Sequence, residues 1–140
     1  MIVITMRSQG LTELRRRYNE APNTVQALIT LAITKSTADV HKKLRTYTQG
    51  NPRQRPSNYV RTFALRGSSR ARIINKDTGE ASIGHGLDYA DKVMGYQSQW
   101  GKHKAMGWWT NESVARNMRG VIGRHFMDSA RELVKYLGTP

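Results

Sequence analysis

The triplet Asp77-Thr-Gly79, set between two short runs of alternating apolar and polar residues, constrains this fold more than any other stretch. On one side of it stand Ala71, Ile73 and Ile74; on the other stand Ala81 and Ile83. A turn that closes a two-stranded ribbon needs positive φ, which glycine supplies without a Cβ clash and aspartate supports through its side-chain acceptor. Gly79 is therefore expected in the turn. Gly84 and Gly86 should end the second strand, and Asp88 should cap a short helix carrying Tyr89, Ala90, Val93 and Met94. Both flanks of the ribbon read as helical, so they have to pack onto it.

Ile2, Val3 and Ile4 are β-branched and predict an N-terminal strand that could extend the hairpin to three strands or more. Leu11 to Glu20 is helix-forming and stops at Pro22, which suits the first turn of a second helix. That second helix is predicted from about Asn23 to Tyr47. Val25, Leu28, Ile29, Ala32, Ile33, Val40, Leu44 and Tyr47 give it an apolar stripe of period 3.6. Ser36 and Thr37 interrupt the stripe, so a break there is the alternative. An unbroken helix of this length spans about 38 Å, more than a small core covers, and part of it should then touch another subunit. The stretch 50–57 holds Pro52 and Pro56 and reads as a mobile loop; 58–65 reads as a short helix or turn. After a loop with all three tryptophans, Thr110 or Asn111 should cap a last helix reaching Leu137. Its stripe is Val114, Met118, Val121, Ile122, His125, Ser129 and Leu133, with His125 expected as a hydrogen-bonded core histidine. Gly120 and Gly123 weaken that helix by about 1 kcal/mol each, and close packing against another backbone is the expected purpose. The fold class is α+β: a small antiparallel sheet packed against a long N-terminal helix and a C-terminal helix, in one domain over residues 1–140.

At 38% hydrophobic residues, any core of a lone copy is modest, as suits a subunit that hides surface against its neighbours. The net charge of +13 exceeds what solubility requires and implies an anionic partner, either nucleic acid or an acidic protein surface. Only 53–72 is dense in cations: Arg53, Arg55, Arg61, Arg66, Arg70 and Arg72, with no acid among them. The absence of cysteine removes disulfides and thiolate metal sites. The longest apolar run, Val25 to Ile33, is about half of the roughly 20 residues a bilayer requires, and no signal peptide precedes it. A soluble, unexported chain with no membrane partner is expected.

The histidines 41, 85, 103 and 125 share no ligand spacing, and a zinc site needs three or four converging ligands. Asp77, Glu80, Asp88 and Asp91 cluster near the hairpin and raise a metal-dependent nuclease. That chemistry needs acids converging from separate elements, whereas these read as turn, cap and exposed helical face. No phosphate-cradling glycine pattern or nucleophile elbow is present. No cofactor is implied. Trp100, Trp108 and Trp109 beside Lys102, His103 and Lys104 read either as a stacking platform for single-stranded nucleic acid or as anchors of a subunit interface.

Two segments carry a resemblance. Thr62, Leu65 and Ser68 stand in a Thr-Gly-x-Leu-x-x-Ser pattern, with Phe63 in place of the glycine. After the hairpin, Tyr89, Ala90, Val93 and Gly95 stand in a Tyr-Ala-x-x-Val-Glu-x-Gly-like pattern that here lacks the glutamate. In this order, behind a long helix, they resemble the tail-completion or head–tail joining (neck) proteins of long-tailed bacteriophages, including minor tail proteins of the lambda Z type. The family's Pro-Phe-x-x-Pro lead into the last helix is absent, and Trp108-Trp109-Thr-Asn takes its place.

The resemblance implies a structural virion protein rather than an enzyme. It would form a ring, hexameric as a first expectation, at the junction of capsid connector and tail, with genomic DNA passing through the lumen. Its partners would be itself, head-connector proteins and tail-tube or terminator proteins. Tyr89, Val93, Gly95, Trp100, Trp108 and Trp109 are the expected subunit or tail interface. Arg53, Arg55, Arg61, Arg66, Arg70 and Arg72 are the expected contacts to DNA or an acidic partner. A small basic nucleic-acid-binding module is the alternative.

Overall fold

The computed structural model describes residues 1–7, 23–46 and 64–138. Three strands form one antiparallel sheet in the order β1 (Ile2–Arg7), β3 (Thr78–Ile83), β2 (Arg70–Asn75). β1 does what its β-branched residues predict, and its alternation becomes clear once Met6 is included. Ile2 and Met6 are buried, Ile4 packs against the core, and Thr5 points outward. Its register on β3 runs from Ile2 opposite Ile83 to Arg7 opposite Thr78. β3 is thus the central strand.

The hairpin is present, but its turn is not where Gly79 stands. Lys76 and Asp77 make the turn, and the Asn75 side-chain oxygen accepts the Asp77 N–H at 3.0 Å, the local bond by which asparagine starts turns. Ile74 bulges out of the ladder, between Ile73 opposite Gly79 and Asn75 opposite Thr78. Gly79 belongs to β3 and lacks the positive φ found at Gly84 and Gly86. Its hydrogen fills another need. A Cβ there would overlap Thr37 Oγ1 and lie 3.2 Å from Ile33 Cγ2, so glycine lets the long helix lie directly on the sheet.

That helix, α1 (Asn23–Leu44), is continuous. Ser36 and Thr37 do not break it: both lie on the buried face with Ile29, Ala32, Ile33, Val40 and Leu44. The Thr37 hydroxyl donates to Ile33 O one turn back, at 2.8 Å, which satisfies it without water. The helix stops three residues before the expected Tyr47, with Thr46 Oγ1 donating to Lys43 O. Its length is covered within the chain, by the sheet on one side and by α5 (Asn111–Gly138) on the other. Thr110 caps α5 as expected, its Oγ1 accepting the Ser113 N–H at 3.1 Å. Further along, His125 Nε2 meets Asp39 Oδ2 at 2.6 Å, and Ser129 Oγ donates to Leu28 O at 3.0 Å. Two polar bridges therefore tie α1 and α5 together.

Gly120 and Gly123 are not used for close packing within the chain, since a Cβ at either meets nothing within 4 Å. Gly120→Ala and Gly123→Ala should each stabilise α5 by up to about 1 kcal/mol, visible as a rise in melting temperature. A fall would mean that these sites are occupied by something outside the chain.

The remaining elements are short: α2 (Ala64–Gly67), α3 (Ala90–Met94) and α4 (Gly101–Ala105). Asp88 does not cap α3; the N-cap position is Tyr89, with no side-chain bond. The core joins Ile2, Met6, Val40, Leu44, Leu65, Ala81, Ile83, Val93, Met94, Trp108, Val114 and Met118. Each fully buried Leu, Ile, Val or Met adds roughly 1.5–3 kcal/mol. The expected helix at 11–20, the loop at 50–57 and Tyr47 lie outside the described residues. No described helix is long and apolar enough to cross a membrane.

Candidate assembly surface

The site is built from the end of β3 outward. Gly84 takes φ +88°, and Ala90 presses so closely on it that no Cβ could be inserted. Its N–H donates to Ser68 Oγ at 2.8 Å, and that hydroxyl donates to Leu65 O at 2.6 Å. A Cβ at Gly84 would also lie 3.7 Å from Leu65 Cδ1. The segments 65–68 and 89–95, far apart in sequence, therefore meet at one glycine.

From there α3 buries Ala90, Val93 and Met94 and ends at Gly95, whose N–H donates to Asp91 O at 2.8 Å. Gly95 sits at φ −69°, so its glycine serves space: a Cβ would overlap Ser98 Oγ. The loop is then held by Gln99, whose amide donates to Val93 O at 2.8 Å and to Trp108 O at 3.2 Å. Trp100 N–H adds a bond to Lys92 O at 2.8 Å. Gly107, at φ +66°, reverses the chain after α4 and allows Trp108 N–H to reach His103 O at 3.0 Å.

These constraints stack three rings. Trp100 and His103 lie nearly parallel (10°), with centroids 5.8 Å apart; His103 and Trp108 are 4.3 Å apart and tilted by 37°. The series runs from surface to core: Trp100 is 45% exposed, His103 2% and Trp108 5%. Lys102 Nζ lies 5.0 Å from the Trp100 ring, and Lys43 Nζ lies 4.2 Å from that of the half-buried Trp109, tying the loop to the end of α1. Burial disfavours the charged imidazole of His103 and the neighbouring Lys102 charge adds to this, so its pKa is lowered although a bond to the Lys92 backbone opposes the shift.

The unfolded chain thus takes up a proton at His103 that the folded chain resists. This contribution to stability is complete above the unfolded value of about 6.5 and is lost progressively as pH falls below it. His103→Phe, which keeps a ring in the stack, should flatten the decline in melting temperature on acidification from pH 7 to 5. An unchanged slope in the variant would contradict this assignment.

The expected interface residues separate accordingly. Val93 and Trp108 lie in this chain's own core, Tyr89 and Trp109 are half-buried against it, and Gly95 shapes the loop. Trp100 is the one of the six whose ring is largely open to solvent. Tyr96, 61% exposed beside it, was not singled out from the sequence; its place in a polar Gly-Tyr-Gln-Ser turn was the available signal. The burial of His103 has no local signal, since Trp100 three residues before it is the extended N-cap of α4 and stays exposed.

Of the expected cationic contacts, Arg53, Arg55 and Arg61 lie outside the described residues. Arg66 and Arg70 are exposed. Arg72 is exposed too, but its Nε donates to Glu80 Oε1 on β3 at 2.9 Å. Among the described residues no three His, Asp or Glu side chains come close enough to hold a metal ion. Comparison with protein-family models, curated proteins and solved structures gives no match.

Proposed function

We propose that the chain is a structural assembly protein of a tailed phage, forming a ring at the head–tail junction that joins the tail to the capsid connector. The observation that carries this reading is the convergence on Gly84. The two segments in which the resemblance to neck proteins resides begin at Thr62 and Tyr89; Thr62 and Phe63 lie outside the described residues, and the described parts, Leu65–Ser68 and Tyr89–Gly95, are joined there by Ser68 and Ala90. Residues at matching positions thus work together at one junction of the fold. On this reading the protein acts by shape and self-association, without making or breaking bonds. Trp100 and Tyr96 face a neighbouring subunit or tail protein, and Arg66 and Arg70 face phosphates or an acidic partner. Phosphate contacts of this kind are sequence-blind and weaken with salt. Labelled chain located by electron microscopy in purified particles tests the reading: density at the neck is expected, and particles lacking the chain would overturn it.

A second reading, a small basic nucleic-acid-binding module, is favoured by the exposed Trp100 with Lys102 beside it. A base stacked on such a ring contributes about 1–3 kcal/mol. Binding of single-stranded DNA that falls linearly with log salt and weakens on Trp100→Ala would support this reading. No binding at low salt would remove it.

A further inference from the structure

We infer that the free edge of β2 takes up an extended acidic segment of another protein as an added strand. β2 closes the sheet on one side, with no strand beyond it among the described residues. All of its residues, Arg70–Asn75, are exposed, including Ile73 at 42% and Ile74 at 49%. An edge strand of this kind presents a row of main-chain N–H and C=O groups at strand spacing, ready to pair with another chain. The regular ladder runs from Arg70, opposite Ser82, to Ile73, opposite Gly79, and the bulge at Ile74 ends it. Those residues offer about 13 Å of docking edge.

The chemistry of the occupant follows from that row and from the side chains it carries. Donors and acceptors in alternation are matched by another polypeptide backbone, whereas a phosphodiester chain only accepts. Side chains alternate between the two faces of the sheet. Ala71 and Ile73 stand opposite Ala81 and Gly79, on the side that faces α1, and Arg70 and Arg72 stand opposite Ser82 and Glu80, on the other. From 66 to 80 the charges are the cations Arg66, Arg70, Arg72 and Lys76 against Asp77 in the turn and Glu80 on β3. Glu80 is already held by Arg72 at 2.9 Å, which leaves Arg70 as an exposed cation along the edge. A fitting strand therefore carries acids two residues apart, facing Arg70 and Arg72, with apolar residues between them beside Ala71 and Ile73. A second copy does not fit. Two β2 edges would set arginines against arginines, which is destabilising, and β1, the other edge, holds no acid. No two acids of this chain stand two residues apart, so the occupant is a different protein.

This inference does not rest on the neck reading, because it needs the edge and its arginines rather than a ring. A short labelled peptide alternating valine and glutamate, titrated into the whole chain at low salt, should bind and shift the backbone amide NMR signals of residues 70–73 most. The same peptide with every backbone nitrogen methylated keeps its charge and loses its donors, and should bind roughly tenfold more weakly or worse. Arg70→Glu, a change at an exposed side chain, should weaken the acidic peptide by roughly tenfold and favour its valine–lysine counterpart. Equal binding of the methylated peptide would reduce the contact to charge alone and overturn the inference. So would an acidic peptide that fails to bind, or an Arg70→Glu variant indifferent to peptide charge. Single-stranded DNA of equal charge that moves the same amides as strongly would overturn it in favour of phosphate. Each of these failures leaves the ring reading standing, and peptide binding by a chain absent from particles would do the reverse.

Discussion

Gly84→Ala is expected to cost about 2–5 kcal/mol of folding stability and to lower the melting temperature by roughly 6–20 °C. Two costs add at this position. A side chain at φ +88° carries about 1–2 kcal/mol of backbone strain. Its Cβ would also occupy the space of the Ala90 methyl, and forcing a methyl into a filled core costs about 1–3 kcal/mol more. Gly86→Ala separates the two. Gly86 has φ +75° but nothing within 4 Å of an added Cβ, so strain alone remains, at about 1–2 kcal/mol. Denaturant unfolding of both variants checks the difference. Equal losses would mean that the close approach of Ala90 to the end of β3 does not hold the fold together.

Gly79→Ala should destabilise by about 3 kcal/mol, through a contact that the strand's own neighbours do not reveal. The added methyl would strike Thr37 Oγ1 on α1, with Thr37 Cβ at 3.1 Å and Ile33 Cγ2 at 3.2 Å behind it. Thr37→Ala removes the obstructing oxygen, and the hydroxyl it deletes bonds only to its own helix, at Ile33 O. Gly79→Ala in the Thr37→Ala background should therefore cost about 1–2 kcal/mol less than in the wild-type chain, a coupling within the range seen for residues in contact. Strict additivity would show that α1 does not lie against β3 at this point.

These two glycines mark how far the sequence could be read. Gly84 and Gly86 were legible as residues that end the strand, because that is a local event written in adjacent residues; their positive φ, expected instead at Gly79, was not. Gly79 was not legible either, because its neighbour in space, Thr37, lies more than forty residues away. The Asp-Thr-Gly triplet looks like a turn wherever it stands, and the turn itself formed two residues earlier on the Asn75 side chain. Long-period signals were clear. The stripe of α1 predicted its buried face, and the Thr110 cap predicted the start of α5. Thr37 looked like part of a break because a hydroxyl that bonds one turn back counts as polar in a pattern while behaving as satisfied in a core; Ser36 is buried beside it within the unbroken helix.

The tryptophan loop was the least legible region. Glycines and lysines around Trp100, Trp108 and Trp109 suggested rings offered to a partner, yet Trp108 is buried and Trp109 is half-buried beneath Lys43. Burial there depends on Lys43 from α1 and on the Gln99 amide, which links Val93 to Trp108. No window of local sequence contains all of those groups. Of the residues expected to make contacts, those exposed among the described residues are Trp100 at the loop and Arg66, Arg70 and Arg72 near the hairpin, and Tyr96 joins them.

Self-association without chemistry is the central claim, and electron microscopy of the purified chain tests it most directly. The account predicts closed rings of identical subunits around an open lumen, with the Trp100 loop at the subunit boundary. Isolated single copies in every field, at concentrations where neighbours readily meet, would contradict it.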